Sequence, residues 1–494
     1  MSSLSDLFPA GAGKEVSFTA SGAVANGDTV ILNSNGTVTS VSGQNYAAGS
    51  QGDASTTSGD ECAGVFDSNS NKVVVTWEDG NHSYASVGTV SGSSITFGSA
   101  VQYLTNRSAN TKHMAFDSGS NRIVISYRDD GAGANNYGQV IVGSVSGSSI
   151  SFGTAVTYVS GTVTEPRVVY DSTNDKTVVF FKDSTDSYRL KGIVGTVSGT
   201  SISFGSATQV ESDTGVESID VCFDSNAGKT VTTYKNSTAT GVAAVGTVSG
   251  TSISFGSAVT WSTGARTIST NRPTVFDSTN NKVVILFCNS DDTTTVRAIV
   301  GTVSGTSISF GTEVVSPVGP VGGALYGTHS WSAAFDPDTA SVVFNVRRGA
   351  DNAPSINTFK VSGTSGSFGG FFHDLSSIST NYADAQMVYD TSADKAVLTM
   401  QNYSNSSRAS AFVFTVPDTN VTASNFLGVA TGAISDGASG SIMIKGGVSS
   451  NVSSLTPNAV YYVQNDGSLG TTTDGTVLAG RAISATSIDL DYST

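Results

Sequence analysis

Gly301-Thr-Val-Ser-Gly-Thr-Ser-Ile-Ser-Phe-Gly311 is the stretch of sequence that decides the fold of this chain. Apolar residues alternate with small polar ones in it, which is typical of β-strands. The Ser304-Gly305-Thr306 segment between the two halves predicts a tight hairpin turn. The same stretch or a close variant occurs at four other places, namely 88–98, 143–153, 195–205 and 246–256.

A second motif precedes the copies of this hairpin. An aromatic residue, Asp, a short polar turn, a basic residue and an apolar run follow one another, as in Phe276-Asp-Ser-Thr-Asn-Asn-Lys-Val-Val-Ile-Leu-Phe287. The motif recurs at intervals of 50 to 59 residues, and we interpret its aspartates as structural turn residues, because Asp side chains bond to nearby backbone in turns: Asp67, Asp117, Asp171, Asp224, Asp277, Asp336 and Asp390. A calcium loop would need further carboxylates at alternating positions.

Each of the seven repeats predicts four antiparallel strands. In one repeat these are Pro273–Asp277, Lys282–Phe287, Arg297–Val303 and Ser307–Gly311. Seven such units predict an all-β chain whose main part is a seven-bladed β-propeller with four-stranded antiparallel blades. The alternatives fit less well, since a β-solenoid needs shorter rungs and separate sandwiches need about 100 residues each.

The ends of the chain predict how this propeller closes and what carries it. The seventh repeat lacks the fourth-strand motif, so we expect residues 37–49 to close the last blade and remove an open edge. The propeller would span 37–417. Residues 1–36 and 418–494 both contain β-hairpin patterns with Asn-Gly or Asp-Gly turns. We interpret them as the two parts of a small β module into which the propeller is inserted.

Charge and composition exclude several classes of function. The formal net charge is −15, and the 24 Lys and Arg residues form no run, which argues against nucleic-acid binding. No apolar stretch is long enough to insert into a membrane. The N-terminus lacks the pattern of a signal peptide, so we expect synthesis in a reducing cytosol. The three scattered cysteines fit small core residues rather than a disulfide framework.

The terminal segments resemble modules of tailed-phage virion proteins. The opening Ser5-Asp-Leu-Phe-Pro-Ala-Gly-Ala-Gly-Lys14 and its continuation to Val41 are similar to the start of such proteins. The close from Asn425 to Leu490 resembles modules of tail-fibre-like and capsid-decoration proteins, and the repeats resemble those of structural proteins from marine and cyanobacterial phages. The resemblance implies a virion protein in several copies or a homo-oligomer, docked on other virion proteins by its terminal module. It supplies no catalytic residue.

The residues themselves indicate no enzyme. The four histidines share no metal-ligand spacing, and no nucleophile motif is present, so we expect no cofactor, no metal and no catalytic residue. A propeller glycosidase or depolymerase remains an alternative, because it needs only two carboxylates. Its candidates are Glu78, Glu165, Glu211, Glu217 and Glu313. A carbohydrate-binding module is the third possibility.

The loops between the second and third strands, and those between repeats, vary in length and content. Rigid scaffolds present binding residues on such loops. Their aromatic, Asn and Asp side chains suit binding of a host-surface glycan and suit anchoring of the loops equally well. The segments are 78–84, 128–137, 182–188 and the insertion 315–331. The candidate binding residues on this loop face are Glu78, His82, Tyr84, Asp129, Tyr137, Asp183, Tyr188, Tyr326 and Trp331.

Overall fold

The computed structural model is all-β over the residues that it describes. Those residues contain two short 3-10 helices, Ser184–Asp186 and Tyr403–Asn405, and no α-helix. None of their helices has the length and hydropathy needed to span a bilayer. The described residues are 14–106, 109–130, 136–238, 240–262, 273–289, 292–316, 331–347, 353–369, 373–374, 382–471 and 477–490.

The chain divides into two compact units. Ala48–Phe414 forms one of them, which we call the repeat unit, and Met1–Ala47 with Thr415–Thr494 forms the other, which we call the terminal unit. The sequence analysis placed the first boundary at 36/37, 11 residues before the observed 47/48. It placed the second at 417/418, 3 residues after the observed 414/415.

The terminal unit contains strands from both ends of the chain. Four come from its N-terminal part: β1 (Glu15–Thr19), β2 (Thr29–Leu32), β3 (Val38–Ser40) and β4 (Gly43–Gln44).

The repeat unit starts with β5 (Ala47–Ser58) and continues with one antiparallel sheet for each aspartate motif. The second and third sheets share β15, whose first part pairs with β13 and whose second part pairs with β16. The strands of the first three sheets are β6 (Asp60–Asp67), β7 (Lys72–Glu78), β8 (Ser83–Ser91), β9 (Ser94–Phe97), β10 (Val101–Leu104), β11 (Ala109–Asp117), β12 (Arg122–Asp129), β13 (Tyr137–Ser146), β14 (Ser149–Phe152), β15 (Val156–Asp171), β16 (Lys176–Asp183), β17 (Arg189–Ser198), β18 (Ser201–Phe204) and β19 (Thr208–Gln209).

The other four sheets follow the same order. Their strands are β20 (Glu217–Asp224), β21 (Lys229–Lys235), β22 (Gly241–Ser249), β23 (Ser252–Phe255), β24 (Val259–Ser262), β25 (Thr274–Asp277), β26 (Lys282–Asn289), β27 (Asp292–Ser304), β28 (Ser307–Phe310), β29 (Val314–Val315), β30 (Ser332–Asp336), β31 (Ser341–Arg347), β32 (Pro354–Ser362), β33 (Ser365–Phe368), β34 (His373–Asp374), β35 (Tyr382–Asp390), β36 (Lys395–Asn402) and β37 (Arg408–Thr415).

Within each sheet the first three strands pair in sequence order, and in the first six sheets the third strand pairs with two further segments. In the first sheet, β8 pairs with both β9 and β10. The sequence analysis expected only the first of these. The hairpin turn between the third and fourth strands requires glycine, because residues such as Gly305 have φ of +62°, as the first central position of a type II′ turn demands.

The last sheet takes its outer strand from the start of the chain. Its order is β35-β36-β37-β5, and β5 spans Ala47–Ser58. The sequence analysis placed this closing strand at 37–49 instead. Residues 38–40 form β3, which pairs with β2 in a local hairpin of the terminal unit. A short hairpin loop closes at a low entropic cost, so Val38–Ser40 pairs with its neighbour in sequence.

The first strands of the sheets contact one another in a closed order. Strand β6 contacts β11, which contacts β15, and the series continues through β20, β25, β30 and β35 back to β6. Apolar clusters lie between successive sheets. One of them joins Val397 and Val413 of the last sheet to Val73 and Val75 of the first. Strands buried on both faces explain the continuous apolar runs of the second strands, such as Val283–Phe287, all fully buried.

The terminal unit completes its sheets with β38 (Asp418–Thr419), β39 (Phe426–Ala430), β40 (Ser439–Ile444), β41 (Val448–Ser449), β42 (Val460–Val463), β43 (Leu469–Gly470), β44 (Val477–Ser484) and β45 (Ser487–Asp489). One of its two five-stranded sheets has the order β1-β40-β39-β2-β3 and therefore combines strands from the two chain ends. The other has the order β41-β45-β44-β42-β43. An apolar cluster that includes Ile31, Phe426, Val463 and Ile488 joins the two sheets.

Candidate functional site

The seven motif aspartates lie in the turns between first and second strands. All are buried, and each carboxylate accepts backbone N–H groups of its own turn, as Asp277 does from Thr279 at 3.0 Å and Asn280 at 2.8 Å. The corresponding acceptors are Asp67, Asp117, Asp171, Asp224, Asp336 and Asp390. These carboxylates therefore stabilise the turns between the first and second strands.

Five of the seven first strands, β6, β11, β15, β20 and β35, have an irregularity in their pairing with the second strand. The register shifts between Asp60 and Ala63 and at the equivalent place in later sheets. Residues at the shift have positive φ although they are not glycine: Glu61, Thr111, Glu165 and Ser218, at +48° to +57°. Such bulges often aim side chains at functional sites.

Polar side chains next to these bulges link consecutive first strands. Each accepts an N–H of the next strand, which gives the closed series a second set of bonds beside its apolar contacts. The pairs are Glu61 with Thr111, His113 with Val168, Glu165 with Ile219, Asp220 with Thr274, Ser332 with Met387, and Gln386 with Gly64.

These first strands surround a cavity of about 400 Å³ in the repeat unit. Its polar lining includes Glu61, Thr111, Lys112, His113, Glu165, Arg167, Asp220 and Gln386, and its apolar lining includes Cys62, Ile219 and Trp331. The bulge residues pair with the ends of the second strands, as Asp60 does with Glu78. The cavity therefore opens at the end of the repeat unit where the variable second-to-third-strand loops begin.

The environment sets the charge of two groups in this cavity. Burial and the neighbouring Arg167 lower the pKa of His113 to about 3, so its imidazole is neutral and its Nδ1 accepts the Val168 N–H at 3.2 Å. Burial alone would raise the pKa of Glu165. The ammonium of Lys182, 2.6 Å from Oε1, acts together with Arg167 and the Ile219 N–H to outweigh that effect, so the pKa of Glu165 is lowered.

The loop after β7 is held in its conformation by hydrogen bonds to its own aspartate, Asp79. Asp79 accepts the N–H groups of Asn81 and His82 and the hydroxyl of Tyr84 at 3.2 Å. The Tyr84 ring stacks on Trp77 with centroids 5.9 Å apart. Of the candidates on this loop, Glu78 is buried, while His82 and Tyr84 are partly exposed.

The loop after β16 presents an aromatic side chain to solvent. Asp183 is buried and caps the 3-10 turn by accepting the N–H of Thr185, so it does not belong to an exposed surface. Tyr188 follows with 48% of its side chain exposed. The 3-10 turn after β36 is capped in the same way by Asn402, and its first residue, Tyr403, is 45% exposed. Sequence reasoning missed Tyr403, although the polar turn Asn402-Tyr-Ser-Asn405 is a signal for it.

The remaining candidates of the loop face are dispersed. Asp129 is buried at the end of β12, and Tyr137 is partly exposed at the start of β13. Trp331 was expected on an exposed loop tip. It is instead only 4% exposed, because it packs with Val296 and Phe344 in the apolar cluster between two sheets. Tyr326 lies outside the described residues.

Most of the carboxylates considered for glycoside hydrolysis are used in ion pairs. Glu165 pairs with Lys182, Glu217 pairs with Lys235 at 2.5 Å, and Glu313 pairs with Arg297. Glu211 differs, since burial, and to a lesser degree Asp213, raises its pKa. A raised pKa is the property that a general acid needs.

Three carboxylates approach one another between the turns of the sixth and seventh sheets. Those of Asp336, Asp338 and Asp394 lie within 4.8 Å. Asp336 already accepts the N–H groups of Asp338 and Thr339, and the Tyr389 hydroxyl donates to Asp394. The turn geometry therefore accounts for much of this clustering.

The terminal unit has a polar cavity of its own, of about 480 Å³. The turn Asp466-Gly467 and residues Asn26 and Asn451 contribute to it. The Asn451 amide donates to the Asn26 side chain at 2.7 Å, so this wall is bonded internally.

Comparison with known proteins gives likenesses of structure alone. No protein-family model matches the chain, and no curated protein matches it. The β-propeller domain of Cps50 (Swd1) from Myceliophteria thermophila is similar over 75% of this chain and 100% of that chain, with 7% identity and a TM-score of 0.42. AofleA from Arthrobotrys oligospora has 10% identity over 67% of this chain and 89% of that chain, with a TM-score of 0.41. A protein from Lactobacillus plantarum has 12% identity over 74% and 96%, with a TM-score of 0.43.

Proposed function

We propose that the repeat unit is a seven-bladed β-propeller and that the terminal unit is a split module carrying it. The closed order of first-strand contacts, from β6 to β35 and back to β6, supports seven blades. Glycines that closely approach the next sheet also support the propeller. A Cβ on Gly98 would lie 1.9 Å from the Ser148 carbonyl oxygen, and one on Gly49 would lie 1.7 Å from that of Ser93.

The function proposed for the chain is that of a non-enzymatic structural protein of a tailed-phage particle, in a tail fibre, a tail appendage or a capsid decoration. One observation carries the proposal. The two chain ends pair strand for strand, β1 with β40 and β2 with β39. The segments that resemble virion modules thus form one unit, as an attachment piece requires.

Other virion proteins are the proposed partners of the terminal unit, and the protein is proposed to be present in several copies. Exposed apolar side chains suit such docking, and the terminal unit exposes Val448 and Ile483 at 46% and 56%. A host-surface glycan is the proposed ligand of the variable loops. Tyr188 and Tyr403 offer aromatic faces on which a sugar ring packs.

Mass spectrometry of purified particles tests the location. The protein should be found in particles of the source virus and should co-purify with them at constant stoichiometry. Deleting 421–494 should abolish incorporation, because it removes the partners of β1 and β2. Normal incorporation of that truncated protein, or absence of the intact protein from particles, would overturn the proposal.

Host adsorption tests the loops. Exchanging 78–84, 128–137 and 315–331, or replacing Tyr188 and Tyr403 with alanine, should leave incorporation intact and reduce adsorption. Tyr462 of the terminal unit, replaced by alanine, is the control for loss of a tyrosine away from the loops. If adsorption never changes, the protein decorates the particle and is not an adhesin.

A glycosidase or depolymerase is the second candidate, and the raised pKa of Glu211 is the observation that favours it. Release of reducing ends from host polysaccharide, lost in the Glu211→Gln variant, would support this candidate. No release by the wild-type protein would eliminate it in favour of binding alone.

A further inference from the structure

The two five-stranded sheets of the terminal unit, which we call the β2 sheet and the β42 sheet after strands that they contain, are built on the same plan. Each has a glycine with a φ that other residues avoid, +159° at Gly428 of β39 and +152° at Gly480 of β44. Gly428 pairs with Val30, Gly480 pairs with Tyr461, and the register shifts directly after both of these partners. Strand β39 therefore corresponds to β44, and β2 corresponds to β42.

The hairpin turns and the strand orders of the two sheets agree as well. Gly36 and Gly467 both have φ of +84°, and their N–H groups donate to the carbonyl oxygens of Asn33 and Gln464 at 2.9 Å. The order β1-β40-β39-β2-β3 thus matches β41-β45-β44-β42-β43 strand for strand. Residues at equivalent positions of the two sheets can therefore be compared one by one.

The outer face of the β2 sheet is covered by the β42 sheet. Ile31, Phe426 and Val429 of the β2 sheet are buried in an apolar cluster with Val463 and Ile488 of the β42 sheet. The residues of the β42 sheet that are equivalent to the first three are Tyr462, Leu478 and Arg481. These equivalents are partly exposed or exposed. The β42 sheet thus leaves open the face with which the β2 sheet binds a sheet of the same plan.

Seven side chains form this open face, which we call the outer face of the β42 sheet. Alternate residues of a strand share a face, and so do residues that are paired across strands. Five of the seven are apolar, of which Val448 and Ile483 are 46% and 56% exposed, and the other two carry opposite charges. The seven are Val448, Val460, Tyr462, Leu478, Arg481, Ile483 and Asp489.

One row across this face is complementary to itself. The register places Val448, Asp489, Arg481 and Val460 side by side on four adjacent strands, in this order. A two-fold axis through the middle of the row would place Arg481 opposite the Asp489 of a second copy, and Val448 opposite its Val460. A two-fold contact between identical chains requires such a surface, because the same surface occurs on both sides.

The two charged groups of the row are free to bond across such a contact. The Asp489 carboxylate has no hydrogen-bond or ion-pair partner among the described residues. The Arg481 guanidinium uses Nη1 to donate to the Asn458 carbonyl oxygen at 2.7 Å and to its side-chain oxygen at 3.3 Å. Its other nitrogens remain for a carboxylate, and hydrogen bonds between ionised groups are the strong ones.

We propose that two copies of the chain associate through the outer faces of their β42 sheets, related by a two-fold axis. The apolar residues supply the burial, and two Arg481–Asp489 ion pairs fix the register. A self-complementary row favours a second copy over an unrelated virion protein as the partner that meets Val448 and Ile483. This inference rests on the proposed function in one respect, which is that the terminal unit is an attachment piece present in several copies.

Sedimentation velocity of the purified full chain between about 1 and 100 μM measures the association. One chain has a mass of 50.2 kDa, and we expect a species of twice this mass whose share rises with concentration. Ile483→Asp should weaken the association about tenfold or more, because it places a charge in an apolar contact. Val315→Asp, at a position of the repeat unit that is 45% exposed, is the control and should associate as the wild type does.

Two charge reversals test the two-fold arrangement. Arg481→Glu alone should weaken association, because carboxylates then face each other, and Asp489→Lys alone should do the same through facing cations. A mixture of the two variants should associate again, since each like-charge contact becomes an opposite pair. Sedimentation of the mixture, with one variant fluorescently labelled, measures this rescue. Unfolding temperatures of both variants show that the fold is intact.

Association that Ile483→Asp weakens, and that the mixed charge reversals restore, would support the contact. A species of three chains, or a mixture that stays monomeric, would overturn the pairing of Arg481 with Asp489 about a two-fold axis. A wild-type protein that is monomeric at about 100 μM, or an Ile483→Asp variant that associates normally, would overturn the contact itself. That result would leave the virion location standing, because mass spectrometry of particles tests it separately.

Discussion

The carboxylate of Asp53 lies 2.9 Å from Nη1 of Arg408, although 355 positions separate the two residues. Asp53 belongs to β5 and Arg408 to β37, so this ion pair joins the start of the repeat unit to its end. Asn405 and Ser410 donate to the same carboxylate. The contact therefore fastens the strand that completes the last sheet.

Replacing Asp53 with asparagine should weaken this closure. The variant loses charge-assisted bonds in a partly exposed site, so we expect the free energy of unfolding to fall by about 1–2 kcal/mol. Urea unfolding followed by circular dichroism measures it. Asp130→Asn removes an exposed carboxylate that pairs with Arg128 within one loop, and it should cost less than about 0.5 kcal/mol. Equal effects of the two variants would contradict a closing role for Asp53.

The same residue predicts a pH dependence. Burial alone would raise the pKa of Asp53, but hydrogen bonds from Gln51, Arg408, Ser410 and Asn405 outweigh it and lower the pKa. A lowered folded-state pKa gives stability that is present above the unfolded value of about 3.9 and lost as the pH falls through the folded value.

The difference in unfolding free energy between wild type and Asp53→Asn should thus be constant from about pH 7 to pH 5 and shrink below about pH 4. Unfolding curves at several pH values measure that difference. A difference that stays constant down to pH 3 would show that the carboxylate charge does not contribute.

Replacing a glycine that closely approaches the next sheet is predicted to lower the free energy of unfolding. A Cβ on Gly256 would lie 1.7 Å from the Thr306 carbonyl oxygen of the next sheet, where the backbone cannot move aside. Gly256→Ala should lower the free energy of unfolding by about 1–3 kcal/mol through overpacking. Gly432→Ala, where no heavy atom lies within 4 Å, is the control. Similar stabilities of both variants in urea would refute the close contact.

The turn of the sixth sheet has a residue that suits its conformation poorly. Ala340 has φ of +52°, where the equivalent residue of the fourth sheet is Gly228, with φ of +63°. Left-handed backbone costs an alanine about 1–2 kcal/mol. After the greater entropy loss of glycine on folding is subtracted, Ala340→Gly should raise the free energy of unfolding by about 0.5–1 kcal/mol.

Gly228→Ala is the reciprocal change and should lower the free energy of unfolding. Its Cβ would also lie 3.2 Å from the Thr173 side chain. Thermal unfolding of both variants compares them, and a change of the same sign in both would contradict the strain argument.

The repeats and their hairpins could be predicted from sequence because they depend on local patterns. Alternating residues, Ser-Gly turns and the motif aspartates act over a few positions, so Asp277 and Gly305 could be interpreted without knowing what lies beside them. The strand at Ala47–Ser58 could not be placed in this way. It pairs with β37 through its backbone, and a backbone ladder leaves no motif in the side chains.

Burial and partners were decided by tertiary structure. Trp331 looked like a loop residue, yet neighbouring sheets enclose it. Lys112 carried no signal in the sequence, since an isolated lysine is usually solvated. The sequence by itself determined the period, the strands and the turns, because these are short-range properties of the chain. Only the tertiary structure brought the first strands together around one cavity, because those contacts join residues from different repeats.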